Sequence, residues 1–285
     1  MIVVTGATGQ LGRLVIEELA GRVPASQIVA AVRSPEKAAD LAERGIQVRE
    51  ADYDRPATLG PAFEGAAKIL LISGSEVGKR VDQHKAVVDA AKAAGVELLA
   101  YTSIPHADTT PLGLATEHKA TEEHIRASGL PFTFLRNGWY HENYLPAARL
   151  AVRSGVIAGS ARDGRIASAA RADFAAAAAT VLTTEGHKDA VYELTGDVAW
   201  SMPELAALVA ELSGAQVEYR DLPVAEYAKV LEANGLPAPV AAMFAQTDAD
   251  IADGWLGDTP GELSRLIGRP TTPLRDTLAE SLKNG

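Results

Sequence analysis

The sequence predicts an α/β fold in which a doubly wound parallel sheet is followed by a smaller, mainly helical lobe. Short runs of β-branched residues alternate with longer segments whose apolar residues recur at helical spacing, as in successive βαβ units. The first run leads directly into a glycine-rich turn and a helix. After about residue 140 the alternation loosens and helical segments dominate.

Six strands and six helices are predicted in the first half of the chain. Each strand is a short apolar run bounded by polar or turn residues, and each helix carries apolar residues on one face. The strands are Ile2–Thr5, Ile28–Val32, Gln47–Arg49, Lys68–Ile72, Leu98–Thr102 and Phe132–Leu135, and the helices begin near Leu11, Ser34, Ala57, Arg80, Glu117 and Tyr140. Right-handed crossovers place the six strands in one parallel sheet.

Three parts of the chain are distinguished. Residues 1–140 form the core, residues 141–200 extend the sheet and line a cleft, and residues 201–285 form the smaller lobe, which faces the substrate. The elements behind this division are a polar turn at Arg162–Arg165, an alanine-rich helix over Ala172–Leu182, a strand at Val191–Leu194 and a strand near Val217–Tyr219.

The composition excludes several classes of function. The chain has a net charge of −10 and no cysteine. A nucleic-acid backbone would be repelled, so no nucleic-acid partner is expected. Disulfides, thiolate catalysis and iron–sulfur clusters are excluded. The longest strongly apolar run, Ile69–Ile72, is far shorter than a membrane span. These features predict a cytoplasmic protein with no membrane partner.

The strongest local signal is Val4–Gly12, where a strand enters G-x-x-G-x-x-G and then a helix. A diphosphate needs close approach of the backbone, free N–H donors and the positive end of a helix dipole. Glycines remove the side chains that would block this approach. The alternative is a tight turn that is glycine-rich for packing alone. The position at the head of a βαβ unit favours a Rossmann-type dinucleotide site.

Arg33 indicates which dinucleotide binds. It follows the second strand, 21 positions beyond Gly12, where an NAD site would carry a carboxylate. A guanidinium attracts the 2′-phosphate of NADPH and makes forked hydrogen bonds to it. Ser34, Pro35 and Glu36 form the N-cap and first turn of the next helix, so Glu36 serves that helix. NADPH is the predicted cofactor; the alternative is a solvated arginine at a strand end.

Motifs over nearly the whole chain resemble a known family. Besides Val4–Gly12 and Arg33, they are Pro24–Val29, Ile72–Gly78, Tyr101–Ser103, His106–Asp108, Leu135–Tyr140, Lys188–Gly196 and Leu266–Pro273. Together they resemble the NmrA-like branch of the atypical short-chain dehydrogenases, and within it the bacterial type 2 NAD(P)H:quinone oxidoreductases. Triphenylmethane dye reductases carry similar motifs, so the resemblance implies the cofactor more firmly than the substrate.

This resemblance implies a place for each part of the cofactor. The diphosphate is expected on Gly6, Ala7, Thr8, Gly9, Gln10 and Leu11, the 2′-phosphate on Arg33, and the nicotinamide half near Ser73, Gly74, Ser75, Asn137, Gly138, Trp139, Tyr140, His141 and Glu142. These segments could instead be plain turn or core, but ligands of open α/β sheets bind beyond the carboxyl ends of strands. Arg171 is expected either to help fix the cofactor or to pair with Asp173. The substrate is expected near His106 and Tyr140.

The Tyr-x-x-x-Lys pair of ordinary short-chain dehydrogenases is incomplete. Lys119 is present, but Ala115 stands where the tyrosine would be. Hydride addition to a ketone leaves an alkoxide that needs a proton at once. Addition to a quinone leaves a phenolate, whose conjugate acid has a pKa of roughly 10 and which can wait for water. No catalytic residue is assigned. Lys119, His118 and His124 are expected on a solvated helix face, and no metal-ligating set emerges.

The predicted function is NADPH-dependent reduction of a small quinone, with direct hydride transfer in a cleft between the two lobes. Catalysis would rest on proximity and orientation. One alternative is an NADP(H)-binding redox sensor without turnover, and another is a triphenylmethane or azo dye reductase. A homo-oligomer is left open.

Overall fold

The structure is a computed structural model and describes residues 1–283. Its strands are β1 (Ile2–Thr5), β2 (Ile28–Val32), β3 (Gln47–Glu50), β4 (Lys68–Leu71), β5 (Leu98–Ser103), β6 (Phe132–Asn137), β7 (Val156–Gly159), β8 (Arg165–Ile166), β9 (Ala190–Leu194), β10 (Trp200–Ser201) and β11 (Glu218–Asp221). Its helices are α1 (Gln10–Ala20), α2 (Ala39–Glu43), α3 (Leu59–Phe63), α4 (Arg80–Ala93), α5 (Ala115–Ser128), α6 (Leu145–Ser154), α7 (Arg171–Thr183), α8 (Met202–Ser213), α9 (Val224–Ala233), α10 (Ala238–Ala252), α11 (Glu262–Ile267) and α12 (Leu274–Lys283).

The chain forms two compact units. The first unit consists of Met1–Asp108, Leu114–Asn137 and Arg171–Leu194, and the second of Thr109–Gly113, Gly138–Ala170 and the chain from Thr195 onward. The first unit thus includes α7 and β9, which lie within the segment 141–200. The three-part division made from the sequence stays a prediction.

A seven-stranded parallel sheet forms the centre of the first unit, and its strand order is β3-β2-β1-β4-β5-β6-β9. The predicted doubly wound sheet is confirmed, and β9 adds the further strand expected near Val191–Leu194. The chain winds away from β1 in both directions, since β1 pairs with both β2 and β4. In open α/β sheets such a point is where ligands bind, so a ligand site is expected beyond the carboxyl ends of β1 and β4.

Burial on both faces explains why the sheet strands read as apolar runs. Every residue of β1, β2, β5 and β6 is buried, as expected for parallel strands covered by helices. On one face α7 packs against α1. Ala175–Ala179 are all buried there, and their small side chains allow the two helices to pack closely. Arg22 fixes the pair by donating to Thr180 Oγ1 over 2.8 Å.

The second unit is built from helices and two short strand pairs. β7 pairs with β11 in parallel, and β8 pairs with β10 in antiparallel fashion. α8 begins with a capping box, because Ser201 Oγ accepts from the Glu204 N–H and Glu204 Oε2 accepts from the Ser201 N–H over 2.7 Å. The strand predicted near Val217–Tyr219 is observed as β11. Within residues 1–283 no helix is long and apolar enough to cross a membrane.

Candidate functional site

The turn between β1 and α1 has the backbone geometry of a phosphate-binding turn. Gly6 adopts a left-handed conformation with a φ of 59°, which an L side chain rarely adopts. The Gly9 N–H donates to Gly6 O over 2.9 Å and closes the turn. A side chain on Gly12 would overlap the Gly6 carbonyl oxygen and place its Cβ 2.7 Å from the Ala7 Cα atom. The glycines therefore let α1 begin directly against the turn.

The first turn of α1 is free to meet an anion. Gly9 is the N-cap, no side chain caps the helix, and the first turn contains no acidic residue. The first N–H groups of a helix lack intrahelical acceptors and carry the positive end of its dipole. Gly9 and Gln10 are exposed and Thr8 is half-buried, so the turn is open to solvent. This arrangement fits the diphosphate predicted for Gly6–Leu11.

Arg33 follows β2 with a side chain that is 69% exposed. Its Nη1 atom lies 3.4 Å from Glu76 Oε1, and the other oxygen of Glu76 lies 2.9 Å from Lys79 Nζ. Glu36 lies in the first turn of the short 3-10 helix Pro35–Ala38, as the sequence indicated. Two cations from the segments after β2 and β4 thus share one carboxylate, and a phosphate would compete with that carboxylate for both of them.

The loop after β4 is held by side chains from neighbouring elements. The Ser73 N–H donates to Thr102 Oγ1 over 2.9 Å. The Gly74 N–H donates to His84 Nε2 over 3.0 Å, and Gly74 O accepts from Arg80 Nε over 2.6 Å. The loop predicted for the nicotinamide half therefore lies beyond the carboxyl end of β4. The part that His84, Arg80 and Thr102 play in holding this loop was not predicted from the sequence.

Asn137, the last residue of β6, carries an unpartnered polar atom. It is 7% exposed, and within residues 1–283 its Oδ1 atom has no hydrogen-bond partner. A buried acceptor without a donor costs about 1–3 kcal/mol. The carboxamide N–H of a nicotinamide ring is a donor of the kind that this oxygen lacks. Asn137 therefore fits the cofactor half predicted for it.

An ion network beside Asn137 fixes the carboxyl ends of β6 and β9. Arg136 is buried and lies 2.8 Å from both Glu122 Oε2 and Glu193 Oε1, and 3.0 Å from Asp108 Oδ1. Although burial alone would lower the pKa of Arg136, the hydrogen bonds to Glu122 and Glu193 raise it. The cation therefore stays charged and holds the strand end and the loop after β5 in place.

The predicted residues that follow Asn137 belong to the second unit. Gly138–Glu142 are tied to Ala169, which forms a bridge with Tyr140 and accepts from the His141 N–H over 2.9 Å. His141 is buried, and both of its ring nitrogens have hydrogen-bond partners in this unit. Trp139 and Tyr140 are half-buried. The structure fixes the backbone of this segment, and its part in binding stays a prediction.

His106 and Arg171 are held in the first unit. His106 has a positive φ of 51°, and its N–H donates to Glu193 Oε2 over 3.1 Å. Its side chain is 34% exposed and lies in the loop after β5. Arg171 is the first residue of α7 and is half-buried, two positions before the buried Asp173. The predicted contacts of His106 with substrate and of Arg171 with cofactor stay predictions.

α5 contains Ala115 and Lys119, the two positions that correspond to the Tyr-x-x-x-Lys pair of short-chain dehydrogenases. Ala115, its first residue, is 4% exposed. Lys119 is exposed, and its Nζ atom lies 3.4 Å from Asp108 O. His124 pairs with Asp89 over 3.2 Å. These three positions offer no acid of the Tyr-x-x-x-Lys kind. Within residues 1–283 no group of three or more histidine or acidic side chains could hold a metal ion.

The prediction that His118 lies on a solvated helix face is wrong. His118 is 6% exposed, and its Nδ1 atom lies 2.7 Å from the Tyr101 hydroxyl oxygen. Burial, followed by the charge of Arg80, lowers the pKa of His118 to about 3, so the ring is neutral. The physical reason is its register on α5, because His118 shares the inward face with Ala115 and Ile125.

Comparisons with known proteins agree with this geometry. The family described as NAD(P)H-binding matches residues 6–185. Quinone oxidoreductase 2 of Escherichia coli is 55% identical, covering 100% of this chain and 98% of the relative. The NmrA-like family domain-containing oxidoreductase flvB of Aspergillus flavus is 30% identical, covering 98% of this chain and 94% of the relative.

Solved structures show the same likeness over the whole chain. The NADPH-dependent quinone oxidoreductase of Escherichia coli, solved in complex with NADPH, matches with a TM-score of 0.96 and 54% identity, covering 98% of this chain and 99% of that one. The triphenylmethane reductase of Citrobacter sp., complexed with NADP(H), matches with a TM-score of 0.95 and 42% identity, covering 99% and 100%. The chain therefore belongs to the NAD(P)H-binding family, in its NmrA-like branch.

Proposed function

We propose that this protein is an NADPH-dependent quinone oxidoreductase that reduces a small quinone by direct hydride transfer. The observation that carries the proposal is the full-length likeness to the Escherichia coli quinone oxidoreductase solved with NADPH, together with residues whose charges and hydrogen-bonding groups match that cofactor. We further propose a cytoplasmic location; self-association stays a prediction.

Each part of the cofactor has matching groups in the chain. The uncapped turn Gly6–Leu11 would hold the diphosphate, and Arg33 would hold the 2′-phosphate. The loop Ser73–Ser75 and Asn137 would hold the nicotinamide half, with the unpartnered Asn137 Oδ1 as an acceptor. Gly138–Glu142 and Arg171 complete the proposed set. NADPH, when bound, supplies the hydride.

The residues around Lys119 indicate the substrate class. Ala115 cannot donate a proton, and Lys119 Nζ lies by the Asp108 carbonyl oxygen. A ketone would need an acid in the transition state, and such an acid typically contributes 10²–10⁴-fold. A quinone needs none, because hydride transfer leaves a phenolate, which is a much weaker base than an alkoxide and can take its proton from water afterwards. The protein's part in the reaction is therefore to orient the two reactants.

The test is a single-turnover measurement of NADPH absorbance with protein that has no added flavin or metal. The acceptors are 1,4-benzoquinone, the triphenylmethane dye crystal violet and 2-butanone, each also tried with NADH. We expect rapid oxidation of NADPH by benzoquinone and almost none by 2-butanone.

Two other results would refute the proposal. Reduction of crystal violet without reduction of benzoquinone would identify a dye reductase, the activity that names the Citrobacter relative. Tight binding of NADPH without oxidation by any acceptor would favour the redox-sensor alternative.

A further inference from the structure

The loop Ser73–Ser75 is held by side chains of neighbouring elements. Both polar backbone groups of Gly74 are taken by side chains of α4: the N–H donates to His84 Nε2 over 3.0 Å, and the oxygen accepts from Arg80 Nε over 2.6 Å. A side chain on Gly74 would place its Cβ 3.1 Å from Gln83 Oε1. The loop peptide is therefore clamped closely against α4.

The hydrogen bonds around His84 determine which of its ring nitrogens carries the proton. The Thr121 hydroxyl donates to Glu117 O over 2.8 Å, so Thr121 Oγ1 must accept from the His84 Nδ1 atom that lies 3.0 Å away. Nδ1 thus carries the proton, and Nε2 is left as an acceptor for the Gly74 N–H. Burial, followed by the charge of Arg80, lowers the pKa of His84 to about 4 and keeps the ring neutral.

Arg80 is an unusual residue for this position. It is 9% exposed, and both hydrogen bonds that its guanidinium makes in the described chain involve neutral partners, Gly74 O at 2.6 Å and His118 Nε2 at 3.5 Å. A buried charge without a carboxylate partner is costly. Packing alone does not require a guanidinium here, whereas holding the Gly74 carbonyl in one orientation does.

We propose that His84 and Arg80 are positioning residues that clamp the Gly74 peptide, so that the loop Ser73–Ser75 presents a preformed surface to the nicotinamide ring. This inference rests on the proposed function, which assigns the loop to the nicotinamide half of the cofactor. Both side chains are buried, with exposures of 0% and 9%, and in this proposal they act through the loop. Their loss should therefore affect hydride transfer and leave the adenosine half of the site intact.

The central variant is His84→Phe, which keeps a ring and removes the acceptor for the Gly74 N–H. Displacement of the nicotinamide ring by about 1 Å can lower the rate of hydride transfer about 10²-fold. We therefore expect kcat with benzoquinone to fall by roughly 10- to 100-fold. Binding of NADP⁺ should weaken several-fold, whereas the Kd of 2′,5′-ADP, which lacks the nicotinamide, should stay within twofold of the wild-type value.

Three further variants make the test specific. His84→Gln can bring its Oε1 atom to the place of the imidazole acceptor and should recover most of the activity. Arg80→Met keeps the aliphatic part of the side chain and removes the donor to Gly74 O. It should likewise lower kcat without changing the Kd of 2′,5′-ADP, and it provides the test if His84→Phe does not fold. His124→Phe changes a half-exposed histidine on α5 and should leave kcat unchanged.

Two outcomes would overturn the inference. Unchanged kcat in folded His84→Phe would show that the clamp has no effect on transfer, and an equal weakening of NADP⁺ and 2′,5′-ADP would show a general loss of structure. Failure of the wild-type protein to bind 2′,5′-ADP at all would instead refute the proposed function.

Discussion

We expect the substitution Gly12→Ala to push α1 away from the turn between β1 and α1, called the phosphate turn below. The added Cβ would overlap the Gly6 carbonyl oxygen and lie 2.7 Å from the Ala7 Cα atom. Both atoms belong to the backbone, so no flexible side chain can move aside. Overpacking of this kind typically costs 1–3 kcal/mol. At about 2–4 °C per kcal/mol for a chain of this size, Tm should fall by roughly 2–12 °C.

The same displacement should open the turn and weaken NADPH binding by at least tenfold. Two other glycines of this region give a graded control. A Cβ on Gly21, at the far end of α1, would meet Glu18 O at 3.6 Å, an ordinary contact, and a Cβ on Gly9 would meet Gly6 O at 3.1 Å. Thermal unfolding and titration calorimetry should therefore rank the alanine variants as Gly21, Gly9, Gly12 in increasing damage. A Gly12→Ala protein with wild-type Tm and NADPH affinity would refute the reasoning.

Three further measurements address charge and protonation. Arg33→Asp should weaken NADPH binding by one to two powers of ten, from about 1.5–3 kcal/mol per charged hydrogen bond, with little change for NADH; equal losses would remove the argument for the 2′-phosphate. Lys119→Met should leave quinone turnover within a few-fold, and a hundredfold loss would show that an acid is needed. The free energy of unfolding should fall as pH drops from about 6.5 toward 4, because the unfolded chain then takes up protons that His84 and His118, with pKa values lowered to about 4 and 3, do not. Asp248 opposes this effect, because burial raises its pKa to about 6 and the folded chain therefore takes up one proton there. Chemical denaturation at pH 7 and pH 5 should show that the free energy of unfolding falls by up to about 1.4 kcal/mol per pH unit from these three groups.

Local patterns were enough to predict the sheet. β1 and β2 begin and end where their apolar runs do, and a strand buried on both faces is continuous in its hydrophobicity. The phosphate turn could be predicted for a similar reason, because Gly6, Gly9 and Gly12 act on backbone only a few positions away. Arg33 needed one further rule, the position at the end of the second strand.

The clamp on Gly74 could not be read in this way, because its parts come together only when α4 packs on the sheet. One signal was nevertheless present. Arg80 and His84 occupy the same helix face as Val87, Val88 and Ala91, all of which are buried. Polar residues at core-facing positions of a helix are expected to have specific buried partners. The same reasoning explains the error at His118.

The place of β9 in the chain has a consequence for synthesis on the ribosome. β9 is the last strand of the parallel sheet to be made, and the chain returns to the first unit only at Arg171. Until Ala190–Leu194 emerge, the apolar strand β6 is an open sheet edge, a hazard for pairing with other chains. At roughly 5–20 residues per second this exposure lasts for several seconds. A nascent chain that stalls before residue 190 should therefore depend on chaperones, although it already contains the phosphate turn, Arg33 and the loop after β4.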